Sequence, residues 1–229
     1  NSMQSISRPA PRIWLEAADR TKSVHVPLKK DERQLTLNGL IGLSHFEPSV
    51  TGLDKILSSG RWFREKEYQS VILPEQAART LQVTASGEDT ILLWGKPFTV
   101  IGTFAGETMD QLRDLDGEPL TPVTFPENSA GEISEAEYEA MESGEDILNF
   151  QSRYTHVPAS TTAIIYSDTL LAMGGTLKNV ALRTDEQSEI DTAASRLVDR
   201  FSLAIFTGTR DGVWLYNISD TMSYSGVPN

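Results

Sequence analysis

This chain of 229 residues has no cysteine. That excludes a disulfide scaffold, a zinc–thiolate site and a cysteine nucleophile. Long hydrophobic runs are missing as well. The longest apolar stretches are a few residues, as at 163–166, against the ~18 or more that a membrane-crossing helix needs. The N-terminus shows no charged region followed by the apolar core of a signal peptide. Several enzyme motifs are also absent. There is no Gly-x-x-x-x-Gly-Lys-[Ser/Thr] phosphate loop and no zincin pattern. There is no Gly-x-Ser-x-Gly elbow and no Ser-x-x-Lys pair. Between residues 114 and 152 there is no base at all, while eleven of the 32 acids fall there.

What is present is an ordinary globular composition, 39% hydrophobic and 23% charged. The length suits one large domain or two small ones. The formal net charge is −12, and outside residues 114–152 the chain is close to neutral. No basic stripe exists to meet phosphates, so nucleic acid is excluded as a partner. The acidic stretch must face water, cations or a cationic partner.

Residues 59–106 carry the clearest pattern. Val71-Ile72-Leu73 is a short apolar strand running straight into a helix. Pro74 suits the first helical position, where its missing N–H costs nothing. Glu75 suits the positive helix end, and residues 76–81 are good helix formers. Two β-rich arms, 90–94 and 98–104, flank Gly95-Lys96-Pro97 as a hairpin.

On either side the pattern continues. Residues 13–20, 22–30 and 34–46 read as strands, and 52–59 as a helical turn closed by Gly60. Asp114-Leu115-Asp116-Gly117 is turn chemistry. Ser134-Glu135-Ala136-Glu137 is a capping box opening a short helix. Residues 161–166 predict a strand and 168–173 a helix. A strand at 179–183 follows, then a second capping box at Thr184-Asp185-Glu186-Gln187. The next helix sets Ile190, Ala193, Ala194, Leu197, Val198 and Phe201 on one stripe. Residues 203–207 and 213–218 form a last hairpin around Thr209-Arg210-Asp211-Gly212.

The order Gly60-Arg61-Trp62-Phe63, then Ala77 to Leu81, then Phe98-Thr99-Val100-Ile101-Gly102 resembles the extracytoplasmic core domain of MacB/FtsX-type ABC transporter permeases. Residues 163–171 and 177–201 extend the likeness, which covers about half the chain. It implies an α+β fold in two parts. A porter-like α/β subdomain would comprise residues 3–62 and 176–229. A mostly β, Sabre-like subdomain would be inserted at 63–175, with the acidic loop at 114–152. One departure stands out: no amphipathic helix is legible before Gly52.

The resemblance also implies the function. The chain would be a non-catalytic module that couples ATP-driven movement of membrane helices to a substrate or partner outside the membrane. ATP would be hydrolysed on a separate subunit. Two permease copies would pair, membrane contact would run only through helices flanking this sequence, and the module would face the periplasm or the cell exterior. An extracytoplasmic protein or peptide could be a further partner. The rival reading is a stand-alone secreted or cell-surface binding protein.

No residue is assigned to catalysis, to a cofactor or to a metal. His25, His45 and His156 are isolated in sequence, with no His-x-x-x-His pair. Asp114-Leu115-Asp116-Gly117-Glu118 resembles the start of a calcium loop but lacks the third ligand and the distal glutamate, so it reads as a turn of solvated acids. Residues 114–152 as a whole predict a mobile projection that adds little to folding. Trp14, Trp62, Trp94 and Trp214 read as core or seam residues.

Overall fold

A computed structural model describes residues 8–17, 22–125, 154–184, 189–201, 205–209 and 212–216. The fold is α+β. Its strands are β1 (Ala10–Trp14), β2 (Val26–Lys30), β3 (Arg33–Leu37), β4 (Gly39–Leu43), β5 (Leu57–Gly60), β6 (Ser70–Pro74), β7 (Thr90–Leu93), β8 (Lys96–Phe104), β9 (Val123–Thr124), β10 (Thr155–His156), β11 (Thr162–Tyr166), β12 (Thr176–Ala181), β13 (Ile205–Thr209) and β14 (Gly212–Tyr216). The helices are α1 (Glu47–Thr51), α2 (Glu75–Leu81), α3 (Gly106–Asp110), α4 (Ser167–Ala172) and α5 (Ile190–Phe201).

Ten strands form one mixed sheet in the order β12-β1-β4-β11-β6-β8-β7-β2-β3, with β5 also paired to β8. β4 runs parallel to β11, and β6 runs parallel to β8. β11 and β6 are antiparallel. These central strands, Gly-Leu-Ile-Gly-Leu, Thr-Ala-Ile-Ile-Tyr and Ser-Val-Ile-Leu-Pro, are buried at every position. That is why they read as continuous apolar runs without a polar alternate.

Residues 34–46, expected as one strand, are two. Asn38 breaks them, and its amide donates to the Thr161 carbonyl at 2.9 Å. β3 ends the strand order, while β4 lies third from the other end. Yet Leu37 and Gly39 are two peptide units apart, within about 7.5 Å. The sheet must therefore curl until β3 meets β4. Inside this roll lies one core, with Leu37 and Leu40 from either side of the bend, Leu73, Leu93 and Val100 from the wall, and Ala77, Ala78 and Leu81 from α2. Leu170 of α4 joins the same core beside Ile13. The opposite face forms a second core. Ile41, Ile72, Ile101, Phe104 and Ile164 of the sheet meet Leu53, Ile56, Trp62, Phe63 and Met109 there. Each fully buried Leu or Ile contributes roughly 1.5–3 kcal/mol.

The strands of residues 3–62 and of 63–175 do not form two sheets. β4 pairs with β11, and β2 pairs with β7, so strands from both stretches alternate in one roll. β1 and β12 extend that roll from β4, which puts Thr176–Ala181 beside Ala10–Trp14.

Local differences have local causes. Pro74 is extended (ψ 142°) and ends β6 instead of starting α2. The first hairpin turns at Trp94-Gly95, not at Gly95-Lys96-Pro97, because Leu93 pairs with Lys96. Both turn residues have positive φ, 47° and 75°, the geometry that matches strand twist. A tryptophan there costs roughly 1–2 kcal/mol. Its indole Nε1 donates to the His25 carbonyl at 3.2 Å and its amide to Pro27 at 3.2 Å, which offsets part of that. The helical turn expected at 52–59 is a short 3-10 segment, Leu53–Ile56, followed by β5. β12 lies two to three residues before the expected 179–183. α5 packs on the β13–β14 hairpin, with Ala194 and Val198 deepest and Leu197 only half-buried. The Ser134 capping box, and Asp185 to Gln187 of the second box, lie outside the described residues.

Ile72→Ala should lower stability by about 2–5 kcal/mol, since the side chain is fully buried. Leu177→Ala, at a half-exposed site on β12, should stay within about 0.5 kcal/mol. Urea unfolding of the two variants checks the contrast.

Candidate functional site

Two of the three motifs that carry the resemblance meet in space. Gly60 and Gly102 are paired across β5 and β8, and Arg61 donates its amide to Ile101 at 2.9 Å. Gly60 has φ +80°, and a Cβ there would lie 2.3 Å from the Ile101 carbonyl oxygen. A Cβ on Gly102 would lie 2.9 Å from the Arg61 carbonyl oxygen. Both glycines are needed because two backbones approach closely. The residues that follow Gly60 lock the corner. Arg61 grips Glu67 through its two terminal guanidinium nitrogens, and Nη1 also donates to the Trp62 carbonyl. Hydrogen bonding from Arg61 holds the Glu67 carboxyl below its ordinary range. Trp62 donates Nε1 to the Ser44 carbonyl at 3.0 Å.

A buried ionic knot lies at the β1 end. Arg12 donates Nε and Nη2 to Glu47 Oε1 at 3.1 and 2.8 Å, and Nη1 to Asp114 Oδ2 at 2.6 Å. Thr51 also donates to Glu47 Oε1, and Asn179 donates to Asp114 Oδ2. Arg12 is 3% exposed and Glu47 0%. Burial works against the guanidinium charge, but Glu47 and Asp114 outweigh it and raise Arg12 above its ordinary value. Glu47 Oε2 is buried without a hydrogen-bond partner. The knot thus ties β1, α1, the 114 loop and β12 together.

The acid-rich turn is anchored, in contrast to the expected solvated projection. Asp114 accepts from Arg12, Asn179 and the Leu115 amide. Gly117 turns with φ +84°. Leu120 is buried, and its carbonyl accepts from Trp14 Nε1 at 3.2 Å. Asp116 itself is exposed on the turn; partial desolvation pushes its carboxyl upward, a backbone hydrogen bond opposes this, and the charges of Asp114 and Glu118 add to it. So 114–125 belongs to the folded body, through the second core and the knot. Residues 126–153 lie outside the described ones.

The three histidines stand apart. The His25 carbonyl accepts from Trp94. His45 meets the Tyr166 hydroxyl through Nδ1 at 2.7 Å, among the rings of Phe46 and Tyr166. Burial raises the Tyr166 hydroxyl above its ordinary value, and the Lys66 amide partly opposes the shift. His156 places Nδ1 at 2.6 Å from the Thr121 carbonyl and Nε2 at 2.9 Å from Glu118. Among the described residues, no three His, Asp or Glu side chains converge as metal ligands, and no helix is long and apolar enough to cross a membrane. Trp14 and Trp62 are core or seam residues, whereas Trp94 is 37% exposed; the Trp214 side chain lies outside the described residues. Sequence reasoning missed the knot, because residues 12, 47 and 114 have no spacing that announces them.

Among the solved structures similar to this chain are two extracytoplasmic transporter domains. The extracellular domain of the noncanonic ABC-type transporter YknZ from Gram-positive bacteria aligns with 94% of this chain and 84% of its own, at 14% identity and a TM-score of 0.47. The periplasmic region of MacB from Actinobacillus actinomycetemcomitans aligns with 86% of this chain and 67% of its own, at 16% identity and a TM-score of 0.47. No family model matches the chain, and no curated protein does.

Arg12→Ala should cost about 3–5 kcal/mol, because it strands the Glu47 carboxylate in the interior. The double variant Arg12→Met with Glu47→Leu should recover most of that loss, as read by thermal melting of both proteins. Gly60→Ala should destabilise by more than ~1 kcal/mol, since neither its φ nor its space admits a side chain.

An acid titration tests a surface pair. Asp89 is lowered to about 2, first by Lys30 and then by hydrogen bonds from Thr84. A carboxyl depressed on folding stabilises above its unfolded value and loses that contribution as pH falls through its folded one. The stability gap between the wild type and Asp89→Asn should therefore be full above pH ~5 and vanish towards pH ~1. A gap unchanged over that range would contradict the assignment.

Proposed function

We propose that this chain is the non-catalytic extracytoplasmic domain of an ABC transporter permease of the MacB/FtsX type. It receives movement from membrane helices driven by a separate ATP-binding subunit, and passes it to a substrate or partner outside the membrane. One observation carries the reading. Two of the sequence elements that motivate it, Gly60 to Phe63 and Phe98 to Gly102, meet where Gly60 pairs with Gly102 between β5 and β8. Both glycines are required at that corner by the close approach of the two backbones.

The mechanics follow from the fold. A module that transmits movement must resist deformation between its points of attachment and its working surface. β1 and β12 are neighbours in the sheet, so movement applied at that edge enters one body. The knot of Arg12, Glu47 and Asp114 clamps both strands to α1 and to the 114 loop. The acid-rich stretch continues from that clamp, and its charge suits a cationic protein or peptide partner. Two permease copies act together in this reading.

The absence of cysteine from these 229 residues supplies the experiment, once any cysteine elsewhere in the full-length product has been replaced. Lys96→Cys, in the exposed β7–β8 hairpin, is introduced into the full-length gene product and treated in intact cells with a membrane-impermeant thiol reagent. Labelling before lysis, on a membrane-bound protein that co-purifies with an ATP-binding subunit, is the expected result. Labelling only after lysis overturns the extracytoplasmic placement. Recovery of the labelled protein free in the medium, without membrane attachment, favours a secreted binding protein instead. The purified chain alone should not turn over ATP, as measured by phosphate release.

A further inference from the structure

We propose that the row formed by Trp14, Glu16, His156, Glu118 and Tyr154 is a seat for cationic side chains. The chain's own Lys178 fills its first position, and its outside occupant is an extended peptide segment carrying basic residues. That peptide's presence outside the membrane rests on the extracytoplasmic reading above. The row runs from β1 to β10. The Trp14 and His156 rings stand 5.9 Å apart at 88°, and the His156 and Tyr154 rings 5.8 Å apart at 74°. Rings set nearly at right angles make corners, and aromatic corners hold ammonium and guanidinium groups. All three rings are half-buried, so each keeps part of its surface open.

Lys178 shows what the row holds. Its ammonium stands 5.3 Å over the Trp14 ring and pairs with Glu16. β12 departs from regular pairing to put it there. Asn179 lies opposite Arg12 and Leu177 opposite Ile13, so Lys178 is the extra residue of a bulge, with no partner of its own in the ladder. Bulges of this kind re-aim a side chain. A lysine beside water needs neither ring nor bulge to stay charged. Here ring, carboxylate and backbone irregularity converge on one ammonium.

Farther along the row the same ingredients recur. Glu118 Oε2 lies 2.9 Å from His156 Nε2, and 42% of the Glu118 side chain stays exposed. Burial, then the charge of Glu118 and a hydrogen bond to it, raises the Tyr154 hydroxyl above its ordinary value, so the field at that ring is negative. Two stations therefore share one row, one filled from within and one presenting a carboxylate outward. An extended chain rises ~3.3 Å per residue, so basic residues about three places apart reach both. An acidic or phosphate-bearing partner would meet Glu16 and Glu118 as like charges, on a chain whose formal net charge is already −12. Arginine suits the stations best, because its planar guanidinium stacks on a ring while its fork engages a carboxylate.

The test is calorimetric titration of the purified chain with a capped Arg-Gly-Gly-Arg peptide and with its Glu-Gly-Gly-Glu counterpart. Lys178→Met keeps the apolar stem and empties the first station, so the arginine peptide should bind about tenfold more tightly. Lys29→Met removes the same charge from an exposed position on β2 and should leave the affinity at that of the parent. Glu118→Gln and Trp14→Leu should each weaken binding about tenfold. Melting temperatures of Lys178→Met and Glu118→Gln should match the parent, so these two carry the test even where Trp14→Leu lowers stability. Equal tightening by Lys178→Met and Lys29→Met would reduce the effect to net charge and overturn the proposal. So would binding of the glutamate peptide, no binding to Lys178→Met, or an affinity indifferent to Glu118→Gln. None of these measurements needs a membrane, which keeps the two ideas apart. A chain that the Lys96→Cys labelling finds free in the medium sinks the transporter reading and leaves the seat standing. A failed titration of a chain shown to be membrane-anchored sinks the seat alone.

Discussion

The bend at Asn38 is the constraint from which the rest of this structure follows. It joins a strand at the end of the sheet to one near the opposite end, with a single residue between them. A flat sheet cannot satisfy that connection. The sheet rolls instead, and rolling creates an enclosed apolar core that α2 helps to fill. It also leaves a second face, which the segment from Leu53 to Phe63, together with α3, must cover. The central strands become buried on both sides and so need apolar residues at consecutive positions, which β4, β11 and β6 provide.

Rolling creates tight places, and glycine occupies the tightest. Gly60 and Gly102 allow β5 to run beside β8 where a side chain on either would strike backbone. The adjacent Arg61, Trp62 and Phe63 turn that corner into a seam between the sheet and its outer cover. This gives a physical meaning to a sequence pattern that looks loose when written as letters.

Charge is organised around the same body. The chain segregates its acids into one stretch, but the beginning of that stretch is not simply solvated. Asp114 is drawn inward by Arg12, and Leu120 is buried. The neutralised knot gives the acidic stretch a rigid root beside β12 and β1. Replacing a buried ionic group of this kind by apolar residues is often neutral for stability, whereas removing one partner is costly. Here the knot fixes which elements meet at the edge where the first described strand and β12 lie side by side.

The sequence by itself determined the local alternation of the chain. β6 with α2, β7 with β8, β11 with α4, and α5 with the β13–β14 hairpin are all legible from apolar period, capping and turn residues, to within a few residues at their ends. These signals are local, and so are the forces that produce them. The sequence also marked Gly60 and Gly102 as a pattern without showing why. Tertiary structure alone decided that strands expected in two bodies share one rolled sheet, because pairing between β4 and β11, more than a hundred residues apart, leaves no trace in spacing. It alone brought Arg12, Glu47 and Asp114 into one knot, since burial makes three scattered charges mutually dependent. The turn at Trp94 was settled the same way. Register with β8 overrode the stronger turn signal of Gly95-Lys96-Pro97, because one shifted residue would move every side chain of β7 to the wrong face.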